Sequence, residues 1–339
     1  MQSENNKRNG ARRKQAFAAL WAAAVITGVS TWPAEAAPFA YVTAGHDDVV
    51  VIDTATNSVV ASAQISGDGR GLAVTPDGKF VYVTNTDVNS VDVISTASNV
   101  VVGTIPVGLA PACVAITPDG RLAYISNFNS NSVSVIQASE NRPPRLIATV
   151  QVGARPMGLA VSPDGQRVYV ANSASPDVSV INTAPGSTLA TIPVGGAPST
   201  NGSPMVVVSP DGKRAYVGEL AAVSVIDTAS NTVVANVSGV SGPSGMAITP
   251  DGKRVYVANN NNAVSVIDTA SNTVVATVAG LHNPIGLAMT PDGKKVYAAG
   301  QDQAGNFGTV WVIDTAANNV SATLTIEKAP HGVAIGPSP

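Results

Sequence analysis

The chain of 339 residues is 12% charged and 45% hydrophobic, with 31 glycines and a formal net charge of −3. That balance excludes an intrinsically disordered chain, and the lack of a basic excess argues against a general affinity for nucleic acid or an anionic membrane. The single cysteine, Cys113, excludes an intramolecular disulfide.

Residues 1–36 read as a targeting segment. Lys7, Arg8, Arg12, Arg13 and Lys14 form a basic region, and residues 16–29 form an apolar stretch too short to span a bilayer comfortably. Ala34-Glu35-Ala36 then fits a small-x-small cleavage site. Cleavage after Ala36 is expected, with export and no membrane span in the mature chain; an uncleaved anchor is the alternative. The remainder holds 14 basic and 20 acidic side chains, a net charge of about −6.

From residue 37 onward one unit recurs, written most cleanly at residues 245–280. Short strands are expected at 245–249, 254–259, 263–268 and 273–278, joined by a Pro250-Asp251-Gly252 turn, an Asn run and a 269–272 turn. Four strands per repeat of about 40 residues is the pattern of a β-propeller blade. Proline presets φ at the second turn position, aspartate accepts local backbone bonds, and glycine takes the left-handed position. The turns begin at Pro76, Pro118, Pro163, Pro210, Pro250 and Pro291, and a worn copy ends the chain near Pro337. The chain begins at Phe39-Ala40-Tyr41-Val42-Thr43, a copy of the strand that elsewhere follows the turn. The fold class is therefore all-β, a seven-bladed propeller over 37–339 whose N-terminal strands pair with the C-terminal strand. Closure removes the open edge, and a monomer is expected.

The strings Tyr82-Val83-Thr84-Asn85, Tyr124-Ile125-Ser126-Asn127, Tyr169-Val170-Ala171-Asn172 and Tyr256-Val257-Ala258-Asn259, followed by VSVIDTASNTVVAT, resemble the YVTN family of β-propeller repeats. Ala44, Gly218 and Ala298 are read as departures at the asparagine position. The resemblance covers the chain after the leader. It implies seven blades and an extracytoplasmic setting, as in exported bacterial and archaeal surface-layer proteins, and it implies no single activity. The Gly-His and Trp-Asp signature of WD40 blades is absent, and Trp311 is the one tryptophan after the leader.

In such a blade the Pro-Asp-Gly and Asp-Thr-Ala turns share one face. The connections between second and third strands, and between blades, share the other. The first face repeats from blade to blade and the second varies, so recognition is assigned to the variable face and the channel mouth. The ligand-binding candidates there are Arg70, Asp87, Phe128, Arg155, Glu219, Asn260 and His331. The residues expected to ring the channel mouth are Arg70, Ala112, Met157, Pro204, Ser244, Ile285 and His331, of which only Arg70 and His331 are strongly polar. Lys79, Arg121, Arg167, Lys213, Arg214, Lys253, Arg254, Lys294 and Lys295 follow the repeated turns and read as a solvated ring. Cys113 stands where other first strands carry glycine.

Three functions fit these residues. The first is an exported, non-enzymatic scaffold that binds a protein, peptide or glycan, with no cofactor; it rests on blade regularity and on the lack of a nucleophile motif or phosphate loop. The second is a metal-assisted hydrolase or lactonase holding a divalent cation through His46, Asp47, Asp87, Glu219, Asp302 and His331. The third, nucleic-acid binding near Arg70 and Arg155, is disfavoured by the charge.

Overall fold

Seven antiparallel sheets of four strands make up the described chain, which in this computed structural model comprises residues 38–138, 143–184, 187–195, 205–302 and 307–336. The chain divides into units 1–36 and 37–339, and every described residue belongs to the second. The leader reading falls outside the described residues, as do Pro204 and Pro337. The protein is all-β; among the described residues the only helical turn is a 3-10 turn at Phe128–Ser130. The first strands of the seven blades pack side by side in a closed ring, as expected of a propeller.

Blade 1 is assembled from both chain ends. The strand Pro330–Gly336 pairs with Phe39–Ala44, matching Phe39 with Gly336, Tyr41 with Ala334 and Val42 with Val333. Its third and fourth strands are Asp48–Asp53 and Ser58–Gln64. Blades 2–7 follow in chain order. Blade 6 shows the local logic, with strands Pro243–Ile248, Arg254–Asn259, Ala263–Asp268 and Thr273–Ala279. Its two middle strands are buried on both faces because neighbouring blades cover them, whereas the outer strand alternates exposed and covered residues. The first strand starts two residues earlier than the sequence suggests, at Pro243.

Turn chemistry explains the face assignment. Thr249 Oγ1 donates to Asp251 Oδ1 at 2.6 Å, that carboxylate accepts from Lys253 N at 3.0 Å, and Gly252 takes φ 70°. Asp268 Oδ1 accepts from Ser271 N at 2.9 Å, and Asn272 stands at φ 54°. Thr269 Oγ1 donates to Gly252 O at 2.7 Å and so fastens the two turns together on one face. Lysines and arginines of this face sit near the turn aspartates, Lys253 Nζ 3.8 Å from Asp251 and Lys294 Nζ 3.6 Å from Asp292, a solvated ring of alternating sign.

Crowding at the axis sets the first-strand glycines. A Cβ on Gly332 would lie 2.4 Å from Arg70 O, and one on Gly71 would lie 2.6 Å from Ala112 O. Thr43, Thr84 and Ser126 hydroxyls accept from the first-strand amides of Gly332, Gly71 and Cys113 at 2.8–3.0 Å. Ser126 Oγ also donates to Met157 O of the next blade at 2.5 Å.

Strand register corrects the sequence alignment at two blades. Tyr169 pairs with Val180 and Tyr216 with Val225, so Gly218 matches Ala171 and Glu219 takes the place of Asn172. In blade 7, Gly300 pairs across from Pro284 as Asn172 does from Pro156, so Gly300, not Ala298, stands at the asparagine position. Those asparagines lie inside the protein: Asn127 Nδ2 donates to Ser132 and Ser134 hydroxyls at 3.1 and 2.9 Å, and Asn259 Nδ2 to Ser265 Oγ at 2.7 Å.

Candidate functional site: the loop face and channel mouth

The loop face is knitted by a repeated backbone device that leaves side chains free to differ. Ala110, Arg155 and Asn283 each lead into a first strand with positive φ (51°, 53° and 42°). Their amides donate to Asn89, Asn131 and Asn262 Oδ1 at 2.8, 2.9 and 3.0 Å, and these asparagines themselves adopt the left-handed region in the preceding blade. The Asn run at 260–262 is thus a tight loop in which Asn262 caps. Asn260 is exposed, gives its amide to Ser241 O at 2.9 Å and lies over Gly242.

Arg155 uses this device. Its guanidinium lies 5.4 Å from the centre of the Phe128 ring, a cation–π arrangement across the junction of blades 3 and 4. Phe128 N donates to Ala110 O at 3.0 Å, and Leu109 N donates to Ser130 Oγ at 2.7 Å. Val107 N donates to Asn89 O at 3.0 Å, next to Val88. Val88, Leu109, Phe128 and Arg155 therefore form one arc over blades 2–4. Val88, Leu109, Leu220 and Phe307 are all about half exposed (47–54%), and every other exposed large apolar side chain among the described residues belongs to an outer strand.

At the ring-closing junction, charged groups gather. Asp68 lies between His46 Nδ1 at 3.6 Å and Arg70 Nε at 3.8 Å, and its amide donates to Asp87 Oδ1 at 2.7 Å. Lys328 Nζ donates to Asp48 Oδ2 at 2.7 Å and also to Asp47, which raises the lysine's pKa. Arg70, Ala112, Met157, Ile285 and His331, five of the seven residues expected at the channel mouth, line a cavity of about 100 Å³ with Met205 and Cys113. Ser244 turns away and donates to Pro284 O at 2.8 Å. Burial first, then the nearby Arg70 charge, lowers the pKa of His331, and Asp68 opposes them. Burial pushes the Cys113 thiol up.

The remaining candidates are placed apart. Glu219 is 4% exposed and bound to the Ser224 hydroxyl, doing inside blade 5 what asparagine does elsewhere, so it is not presented on the loop face. Asp302 closes its own loop by accepting from Phe307 N at 3.2 Å. His46 faces Asp68, Asp47 is held by Lys328, Asp87 serves a backbone amide and His331 lines the channel, so the six metal-ligand candidates do not converge. Among the described residues no group of three or more His, Cys, Asp or Glu side chains is arranged to hold a metal ion. Arg70 and Arg155 lie at different blade junctions.

The sequence reading missed two clefts on the turn face. One of about 1010 Å³ lies between blades 3 and 4, lined by Asp119, Arg121, Gln137, Arg145, Ile147 and Asp164. The other, about 890 Å³, lies between blades 2 and 3, lined by Phe80, Tyr82, Val102, Pro118, Pro143 and Pro144. The signal was present in the sequence. Blade 3 carries ASENRPPR and blade 4 NTAPGS where blades 5 and 6 carry DTASNT. That turn's asparagine latches neighbouring blades at two junctions: Tyr256 Oη donates to Asn318 Oδ1 at 2.8 Å and Tyr297 Oη to Asn57 Oδ1 at 2.5 Å. Among the described residues the Tyr124 hydroxyl beside blade 4, whose turn has no such asparagine, has no partner, and neither has the Tyr169 hydroxyl beside blade 5, whose turn carries Asn231.

Comparison with known proteins agrees with this architecture. The model of the choice-of-anchor I domain family matches residues 128–282, under half of the chain. No curated protein matches. Among solved structures, hydrazine synthase of Kuenenia stuttgartiensis is 25% identical, with TM-score 0.68, over 80% of this chain and 90% of that one. A functionally unknown protein from Desulfotomaculum acetoxidans is 23% identical, with TM-score 0.63, over 71% and 82% of the two chains. A structure described as a putative 6-phosphogluconolactonase from Bacteroides fragilis is 16% identical, with TM-score 0.72, over 89% and 98%. The last two likenesses concern the fold alone. The chain is a seven-bladed propeller similar over part of its length to the choice-of-anchor I domain.

Proposed function

We propose that the protein is an exported scaffold of the YVTN-repeat type that acts by binding a protein, peptide or glycan on its loop face. The observation that carries this reading is the arc Val88–Leu109–Phe128–Arg155. Half-exposed apolar side chains next to an aromatic ring under a guanidinium are what recognition surfaces present. The likeness to the choice-of-anchor I domain and the leader-like residues 1–36 support a surface setting. No helix among the described residues is long and apolar enough to cross a membrane.

The test is capture from an exported-protein fraction by immobilised wild type, Phe128→Ala and the turn-face control Lys253→Ala. A partner held by wild type and the control but lost with Phe128→Ala supports the reading. Capture that is unchanged in Phe128→Ala, or lost equally in the control, refutes it.

A further inference from the structure

The channel mouth holds donors that the fold itself leaves unused. The Arg70 pair with Asp68 spans 3.8 Å from Nε, beyond hydrogen-bond reach, and none of the Arg70 N–H groups is hydrogen-bonded among the described residues. The His331 ring is likewise without a hydrogen bond among them and faces the same cavity. The rest of the wall is apolar, contributed by Met157, Met205, Ile285 and the small Ala112. A cavity with a largely apolar lining and two convergent polar groups is the pattern of a small-ligand subsite.

We propose that this cavity binds a carboxylate on a short apolar stem, the group carried by a glutamate side chain or by the C-terminus of a partner chain. The proposal rests on the binding reading above and names the chemistry its partner presents. Charge selects the class. Arg70 is permanently cationic and free to donate, but Asp68 beside it already supplies one negative charge, so a monoanion is accepted with less repulsion than a dianion. Geometry selects the size. About 100 Å³ is the share of roughly three water molecules, enough for a carboxylate and one or two methylenes. The guanidinium fork matches a carboxylate in two-point contact, and the methionines adapt to the stem.

Ligand-observed NMR at pH 9 with butyrate tests this, using butyramide as the uncharged isostere and methylphosphonate, doubly ionised at that pH, as the dianion. Butyrate is expected to bind with a Kd of millimolar order, as suits so small a ligand. Arg70→Gln removes the charge, and Ala112→Leu fills the cavity while keeping it; each is expected to weaken butyrate about 10-fold or more. The second variant keeps the test valid if the first fails to fold. N-acetyl-glutamate amide and N-acetyl-alanine are expected to displace butyrate, and the tighter of the two identifies side chain or C-terminus as the source.

No butyrate binding, equal binding of butyramide or methylphosphonate, unchanged affinity in both variants, or no displacement by either acetylated amino acid overturns the proposal. Partner capture that persists without butyrate binding removes this subsite alone; the loop-face reading falls only with an inert Phe128→Ala.

Discussion

Replacing Tyr297 with phenylalanine separates the latch between blades from mere burial of a tyrosine. Tyr297 is fully buried in blade 7, and its hydroxyl reaches Asn57 Oδ1 in blade 1 at 2.5 Å. Removing the hydroxyl loses one buried hydrogen bond. Asn57 Oδ1 retains Lys295 Nζ at 3.5 Å, so the acceptor is not stranded and the cost is about 1–1.5 kcal/mol. Tyr124 is equally buried, but its hydroxyl has no partner among the described residues. Tyr124→Phe therefore removes an unpaired polar atom and is expected to be neutral or to stabilise by about 1 kcal/mol. For a chain of about 300 residues, 1 kcal/mol corresponds to a Tm shift of roughly 1.6 °C. Scanning calorimetry should show Tyr297→Phe about 2 °C below wild type and Tyr124→Phe level with it or slightly above. Equal losses in the two variants would falsify the latch, because they would mean that the phenol counts only through its ring.

Two further outcomes follow from the same geometry. Burial raises the pKa of Tyr41, Tyr82 and Tyr124 to about 12, so between pH 10 and 12 the unfolded chain has released protons that the folded one retains. Stability then falls with rising pH, by up to about 1.4 kcal/mol per pH unit for each tyrosine, and urea midpoints flat across that interval would contradict it. Gly332→Ala drives a Cβ to within 2.4 Å of Arg70 O and should cost about 1–3 kcal/mol, whereas Gly103→Ala meets nothing within 4 Å on an outer strand and should gain up to about 1 kcal/mol. Denaturant titration of both variants that ranks them the other way removes the crowding argument.

The parts of the fold legible in the sequence are those fixed by local chemistry. The Thr-Pro-Asp-Gly and Asp-Thr-Ala-Ser-Asn strings encode their turns within a few residues, and their repetition gives blade number, face assignment and the split blade. The misread positions have equally physical reasons. Gly218 and Ala298 fall short of the asparagine position, which lies three residues after the tyrosine as in Tyr169…Asn172; that count reaches Glu219 and Gly300, and the pairing of Tyr216 with Val225 agrees with it. Once the register is known, Glu219 ceases to be a surface acid and becomes the buried partner of Ser224. Asp47 and Asp48 look available for a cation in sequence because Lys328, which holds them, lies about 280 residues away and meets them only through ring closure.

The same reasoning explains why the loop face, and not the turn face, is free to encode specificity. On the turn face the side chains are spent on geometry: Thr249, Asp251 and Thr269 hold the turns, and altering any of them loosens the blade. At three links of the loop face the left-handed residue has its amide capped by an asparagine of the preceding blade, so its own side chain carries no structural duty. Ala110, Arg155 and Asn283 occupy that position in turn, and only Arg155 extends over an aromatic ring. The backbone cost of a left-handed arginine, of order 1 kcal/mol, is offset by the cap that Asn131 supplies. Repetition of the cap therefore permits variation of the side chain. On the turn face, clefts lie on both sides of blade 3, where the turns of blades 3 and 4 depart from the string that blades 5 and 6 share. Departures from the repeat are therefore candidates for the proposed recognition only where the repeat does not itself need the residue, as at Phe128, Arg155, Arg70 and His331.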